Sequence, residues 1–79
     1  MTSTILYKGD LRTECTHIRS GQTFITDAPI DNNGKGQAFS PTDLAATSLG
    51  ACMITIMGIA ANNHEINIAG TKLEITKHM

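Results

Sequence analysis

The chain is predicted to fold as an α+β domain: a three-stranded antiparallel sheet, one long buried central helix, and then a further strand. Three observations predict this. Residues 4–8 and 11–18 are short alternating or β-branched runs on either side of a Gly9-Asp10 pair, which is the pattern of a hairpin. Ser40-Pro41-Thr42-Asp43 carries the chemistry of a helix start. Residues 44–63 contain no charged side chain, and a helix apolar on every side belongs inside protein or lipid.

After the hairpin, Arg19-Ser20-Gly21 marks a bend, and residues 22–26 include Thr23, Phe24, Ile25 and Thr26, which suit a third strand. Residues 27–39 hold Pro29, Gly34, Gly36 and the Asp31-Asn32-Asn33 run and read as a mobile surface loop, with Asp27 and Asp31 as turn residues. Ser40 then caps the helix, Pro41 occupies the first position where its missing N–H costs nothing, and Asp43 closes a capping box. The helix runs to about Asn63, roughly 33 Å at 1.5 Å per residue. Ala46, Gly50 and Gly58 form a row of small residues over which a second helix can approach. Residues 66–69 and 71–77, broken at Gly70, alternate Leu73 and Ile75 with Lys72, Glu74 and Thr76 and read as the last strand.

At 79 residues the chain makes one domain, and a domain this small usually draws stability from a staple, a metal or a partner subunit. Three or four short strands cannot cover a helix that is apolar all round, so either a partner supplies the missing cover or the chain is part of something longer. Six basic against seven acidic residues, with no run of either sign, leave no electrostatic footprint for nucleic acid. The uncharged stretch is long enough to span a membrane. It is rich in Ala, Gly, Ser and Thr, ends in Asn62-Asn63 and has no flanking basic cluster, which favours a helix packed within protein. Two cysteines far apart match neither a disulfide framework nor a zinc site, so they read as free thiols in a reducing cytoplasm, and no cofactor is implied.

Cys52 lies near the middle of the helix between Ala51 and Met53. On spacing alone it is a small buried hydrophobe, because free cysteine is among the most buried residue types. A reactive thiolate there would need a cation from elsewhere, since the helix dipole acts only at the ends. Arg12 and Arg19 are the two arginines, and either, pointing from the sheet, would lower the thiol pKa and bind an oxygen-rich substrate; the plain alternative is a solvated edge or turn charge. Cys15 and His17 share a strand face with Leu11 and Thr13, opposite Arg12 and Glu14; two such groups make only half of a metal or nucleophile-base site. His64 and His78 have no partners at ligand spacing.

The run Ala38-Phe39-Ser40-Pro41-Thr42-Asp43-Leu44-Ala45-Ala46, followed by Ser48-Leu49-Gly50-Ala51-Cys52-Met53, resembles the osmotically inducible protein C and organic hydroperoxide resistance (OsmC/Ohr) family. In that family a Ser/Asn-Pro helix start precedes a Leu-Ala-Ala run and, about ten residues on, a reactive cysteine. Tyr7 and Gly9, the Ser20-Gly21 turn, Thr26-Asp27-Ala28-Pro29 and Asn33-Gly34-Lys35-Gly36 extend the similarity over essentially the whole chain.

The resemblance implies a cytoplasmic thiol peroxidase that reduces small organic hydroperoxides with an external dithiol, working as an intertwined homodimer. Cys52 would be the peroxidatic residue, and Arg12 the arginine that holds the thiolate and polarises the peroxide, with Arg19 in reserve. Two departures stand out. The family glutamate just after the proline, which orients the arginine, is here Thr42, with Asp43 beside it as a substitute or simply a cap. The family's resolving cysteine lies on a later helix beyond residue 79, and Cys15 does not match it, so the chain is expected to be the N-terminal part of an OsmC-like domain. A non-catalytic dimeric binding or structural module is the competing reading, since the apolar interface would also suit a fatty ligand.

Overall fold

The computed structural model describes residues 1–78, in the order β1 (Ser3–Gly9), β2 (Arg12–His17), β3 (Thr23–Asp27), a short 3-10 turn (Ile30–Asn32) and α1 (Pro41–Asn63). The chain forms two compact units, Met1–Thr42 and a second beginning at Asp43. The first holds an antiparallel sheet in the order β1-β2-β3.

In the hairpin, Gly9 pairs with Arg12, so the two turn residues are Asp10 and Leu11, one step later than the Gly9-Asp10 pair. Both have positive φ, 54° and 63°, as a two-residue turn matched to the twist of the strands requires. For a leucine that conformation is strained. It is held from both sides: the Leu11 N–H donates to Tyr7 Oη at 3.2 Å and its carbonyl accepts from Ala28 N–H at 3.1 Å. The register sets Ile5, Cys15 and Phe24 in one row and Arg12 opposite Asp27 in another. Across the neighbouring rung, Thr13 and Thr26 join their hydroxyls at 2.5 Å.

Residues 27–39 are not the loosely held loop expected from their composition. Asn33 and Gly34 donate to the carbonyls of Ile30 and Pro29, Gly36 N–H to Ala28, and Asp27 N–H to Phe39. Each bond removes a freedom the glycines would otherwise confer. Gly34 sits so close to the chain that a Cβ there would lie 1.8 Å from the Ala28 carbonyl oxygen.

The second unit is organised around α1. It starts at Pro41, with the Ser40 and Thr42 hydroxyls 3.3 Å apart and Asp43 in the first turn paired with Lys77 at 2.9 Å. It ends in a Schellman motif: Ile66 N–H reaches Ala61 carbonyl at 2.8 Å, Glu65 N–H reaches Asn62 carbonyl at 3.3 Å, and Glu65 adopts φ 57°.

Two expectations for this unit need correction. The helix is not buried. Its covered or half-covered positions include Asp43, Thr47, Gly50, Ile54, Gly58 and Ala61, a single stripe at helical spacing, while Leu49, Met53, Ile56, Met57 and Ile59 are all more than half exposed. An apolar composition states what a helix prefers to bury; only neighbouring elements bury it. Nor do residues 66–78 form a strand. Their alternating pattern suits a pleated surface, but a strand exists only through a hydrogen-bonded neighbour, and here Leu73 and Ile75 lie instead over Gly50 of the helix. That glycine admits a tail rather than a second helix, and Gly58 faces open space. Length and composition alone would let α1 cross a membrane; the tail at Leu73 and Ile75 covers the stretch of it around Gly50.

Two substitutions test these backbone readings. Gly34→Ala forces the backbone away from Ala28 and is expected to lower unfolding free energy by about 2 kcal/mol or more. Glu65→Gly relieves a left-handed glutamate and is expected to raise it by up to about 1 kcal/mol. Urea titration followed by circular dichroism measures both.

Candidate functional site

The first unit carries one strongly organised polar cluster, built on the rung where β2 begins and β3 ends. Arg12 and Asp27 are direct antiparallel partners, so their side chains leave the sheet on the same face. Arg12 Nε donates to Asp27 Oδ1 at 2.6 Å and Nη2 to Oδ2 at 2.8 Å, the two-pronged arrangement that only a planar guanidinium makes. Gln37 closes the cluster from the loop. Its backbone N–H donates to Asp27 Oδ2 at 3.1 Å, and its side-chain Oε1 accepts a second bond from Arg12 Nη2 at 2.9 Å.

Asp27 is fully buried, whereas the Arg12 side chain keeps about a fifth of its surface exposed. The hydrogen bonds from Arg12 hold the Asp27 carboxyl below the usual carboxylate range against the opposing effect of burial, with help from the Gln37 N–H and the nearby Lys35 charge. The same bonds to Asp27 raise the Arg12 pKa above its ordinary value. Each partner thus favours the charged form of the other. Nη1 has no hydrogen-bond acceptor among the described residues, so two N–H donors of a fixed guanidinium point away from the cluster.

Asp27 is thus the last residue of β3 and the partner of Arg12, not a turn residue as its neighbours Ala28-Pro29 suggested. Strand alternation extended by one residue would have found it, because the β2–β3 register brings Arg12 and Asp27 together once β3 reaches position 27. Gln37 carried no such signal, since a loop residue finds its partners only through the path of the loop.

Cys52 lies mid-helix in the second unit and is exposed, with a free thiol. The core reading of this cysteine is set aside for the chain as described. On helical spacing it shares a face with Ser48, Ile56 and Ile59, all exposed. Another stretch of the helix, at Thr47, Gly50, Ala51 and Ile54, lines an open, mainly apolar cavity of about 230 Å³ flanked by Thr71, Leu73 and Ile75. Cys15, half-buried on β2, is also a free thiol, with Thr13 Oγ1 3.9 Å from its sulfur. His17 bonds Ser20 Oγ at 2.6 Å and so is engaged with the next turn rather than with Cys15. Arg19 stands exposed in that turn. Asp43 makes an ion pair with Lys77, and the carboxylate on Arg12 is that of Asp27. No group of three or more His, Cys, Asp or Glu suited to a metal ion occurs among the described residues.

Comparison with known proteins gives one informative likeness. A crystal structure of a protein from Psychrobacter arcticus 273-4, described as a candidate osmotic stress induced and detoxification response protein, superposes with a TM-score of 0.98 at 61% sequence identity over 100% of this chain. The two share one fold. The chain spans 58% of the length of that protein. No family model and no curated protein matches the chain.

The buried carboxylate makes a pH prediction. Because the folded pKa of Asp27 is lowered, its contribution to stability is complete above the ordinary carboxylate range and is lost as pH falls through the folded value. The raised Arg12 contributes at every pH below its ordinary value. Acidification below about pH 4 is expected to lower the urea midpoint, and Asp27→Asn to be less stable at pH 7 with a smaller further loss in acid.

Proposed function

We propose that the chain belongs to the OsmC/Ohr family and forms part of a cytoplasmic thiol peroxidase that reduces small organic hydroperoxides. The observation that carries this reading is an exposed free thiol at Cys52 in a chain that also presents a fixed, partly exposed guanidinium at Arg12. The helix-start and cysteine run described above, and 61% identity to a protein described by stress and detoxification, support the same reading.

The chemistry is a two-electron transfer. The Cys52 thiolate attacks the terminal oxygen of R–O–OH, the O–O bond breaks, and sulfur keeps the hydroxyl as a sulfenic acid while the departing alkoxide takes a proton to become the alcohol. The sulfur is oxidised and the peroxide reduced. An external dithiol then attacks the sulfenic acid, expels water, and closes its own disulfide as it restores the thiol. The resemblance assigns to Arg12 the part of stabilising the thiolate and binding the oxygens on which negative charge develops. Homodimerisation belongs to the same reading: five large apolar side chains of α1 stand more than half exposed in a single copy, an area that soluble proteins cover. The competing reading, a module that binds an apolar ligand, draws on the cavity against Gly50 and Ile54.

The expected outcome is that Cys52→Ser abolishes consumption of cumene or tert-butyl hydroperoxide in a dithiol-driven assay, Arg12→Lys lowers kcat/KM about 100-fold, and Cys15→Ser leaves it unchanged. Equal rates for Cys52→Ser and the parent would refute the assignment.

A further inference from the structure

We infer that Asp27, with Gln37, is the positioning group for the Arg12 guanidinium, taking over at a different place in the fold the task that the resemblance gives to a glutamate after the helix-start proline. The inference rests on the peroxidase reading above and concerns how that site is held.

The position expected to carry the glutamate is Thr42, which has no charge to offer. The next residue, Asp43, is ion-paired with Lys77. Arg12 nonetheless has a carboxylate, that of Asp27. Asp27 is buried, so its carboxylate cannot turn to solvent, and it grips the guanidinium along the Nε–Nη2 edge. One edge contact still permits a small rocking of the plane. The additional bond from Nη2 to Gln37 Oε1 opposes it, and the Gln37 N–H on Asp27 Oδ2 ties that constraint to the carboxylate itself. The loop cannot drift away, because Asp27 N–H bonds Phe39 carbonyl and Gly36 N–H bonds Ala28 carbonyl. Nη1 is left as the outward donor, with its direction set by the other two nitrogens. A transition state stabilised by a fixed dipole or charge needs that direction to be set in advance.

The test compares hydroperoxide consumption by the full chain and its variants, with folding checked by circular dichroism. Folded Asp27→Asn is expected to lose about 100-fold in kcat/KM, and Gln37→Ala, a change at an exposed amide, about fivefold. Asp27→Glu, which keeps the charge, should recover part of the loss. In an Arg12→Lys background, where the fork is already broken, Asp27→Asn should cost no further activity; a merely structural role would cost the same factor in both backgrounds. That equal cost overturns the inference, as does parental kcat/KM in folded Asp27→Asn. Should Asp27→Asn fail to fold, Gln37→Ala decides, and a parental rate there overturns it. Cys52→Ser separates the two levels: if it is inactive while Asp27→Asn is fully active, positioning alone fails, whereas a parental rate for Cys52→Ser removes the peroxidase reading and this inference with it.

Discussion

A carboxylate with no exposed surface, gripped by a guanidinium across one rung of the sheet, joins the start of β2, the end of β3 and the loop at Gln37. Burial of Asp27 is unfavourable by itself, and the arrangement persists because both its oxygens are bonded and the opposite charge is in contact. The dependence runs both ways. The strand register is what puts Arg12 opposite Asp27, and the strained Leu11 turn is what starts β2 at Arg12. The loop is held to the same rung, so its glycines serve close packing rather than motion.

The second unit is governed by a different constraint, a helix with more apolar surface than its own segment can cover. One stripe of α1 is at least partly buried, and Ile75 and Leu73 fill the gap above Gly50. Its other faces remain open, and Cys52 is on one of them. A thiol in such a place is open to solvent, and the residues on its face of the helix include Ile56 and Ile59. The same openness that makes the thiol reachable is what the proposed dimer would moderate, by adding protein where a single copy presents hydrocarbon to water.

Local signals were legible. β1 and β2 fall within a residue or so of the alternating runs, because turn chemistry and alternation act over a few residues, and α1 begins at Pro41 and ends at Asn63 as the cap and the Asn62-Asn63 pair indicate. Three features were not legible. The alternation of residues 71–77 resembles a strand, yet pairing depends on an edge the segment does not reach. The left-handed turn beyond the helix falls on Glu65, a residue type with little preference for it, so the bond from Ile66 to Ala61 and not the residue type decides that turn. Asp27 looked like punctuation beside Ala28-Pro29, whereas its environment is set by a strand fifteen positions earlier in sequence.

From its residues alone, this protein had its α+β class and its three antiparallel strands followed by one long helix. These follow from periodicity and caps, which are properties of neighbours in sequence. Only the tertiary structure decided that Arg12 is clasped by Asp27 and Gln37 and that the apolar helix keeps most of its surface exposed. Ion pairs and burial are relations between distant segments, fixed by register and by packing, and no local pattern specifies them.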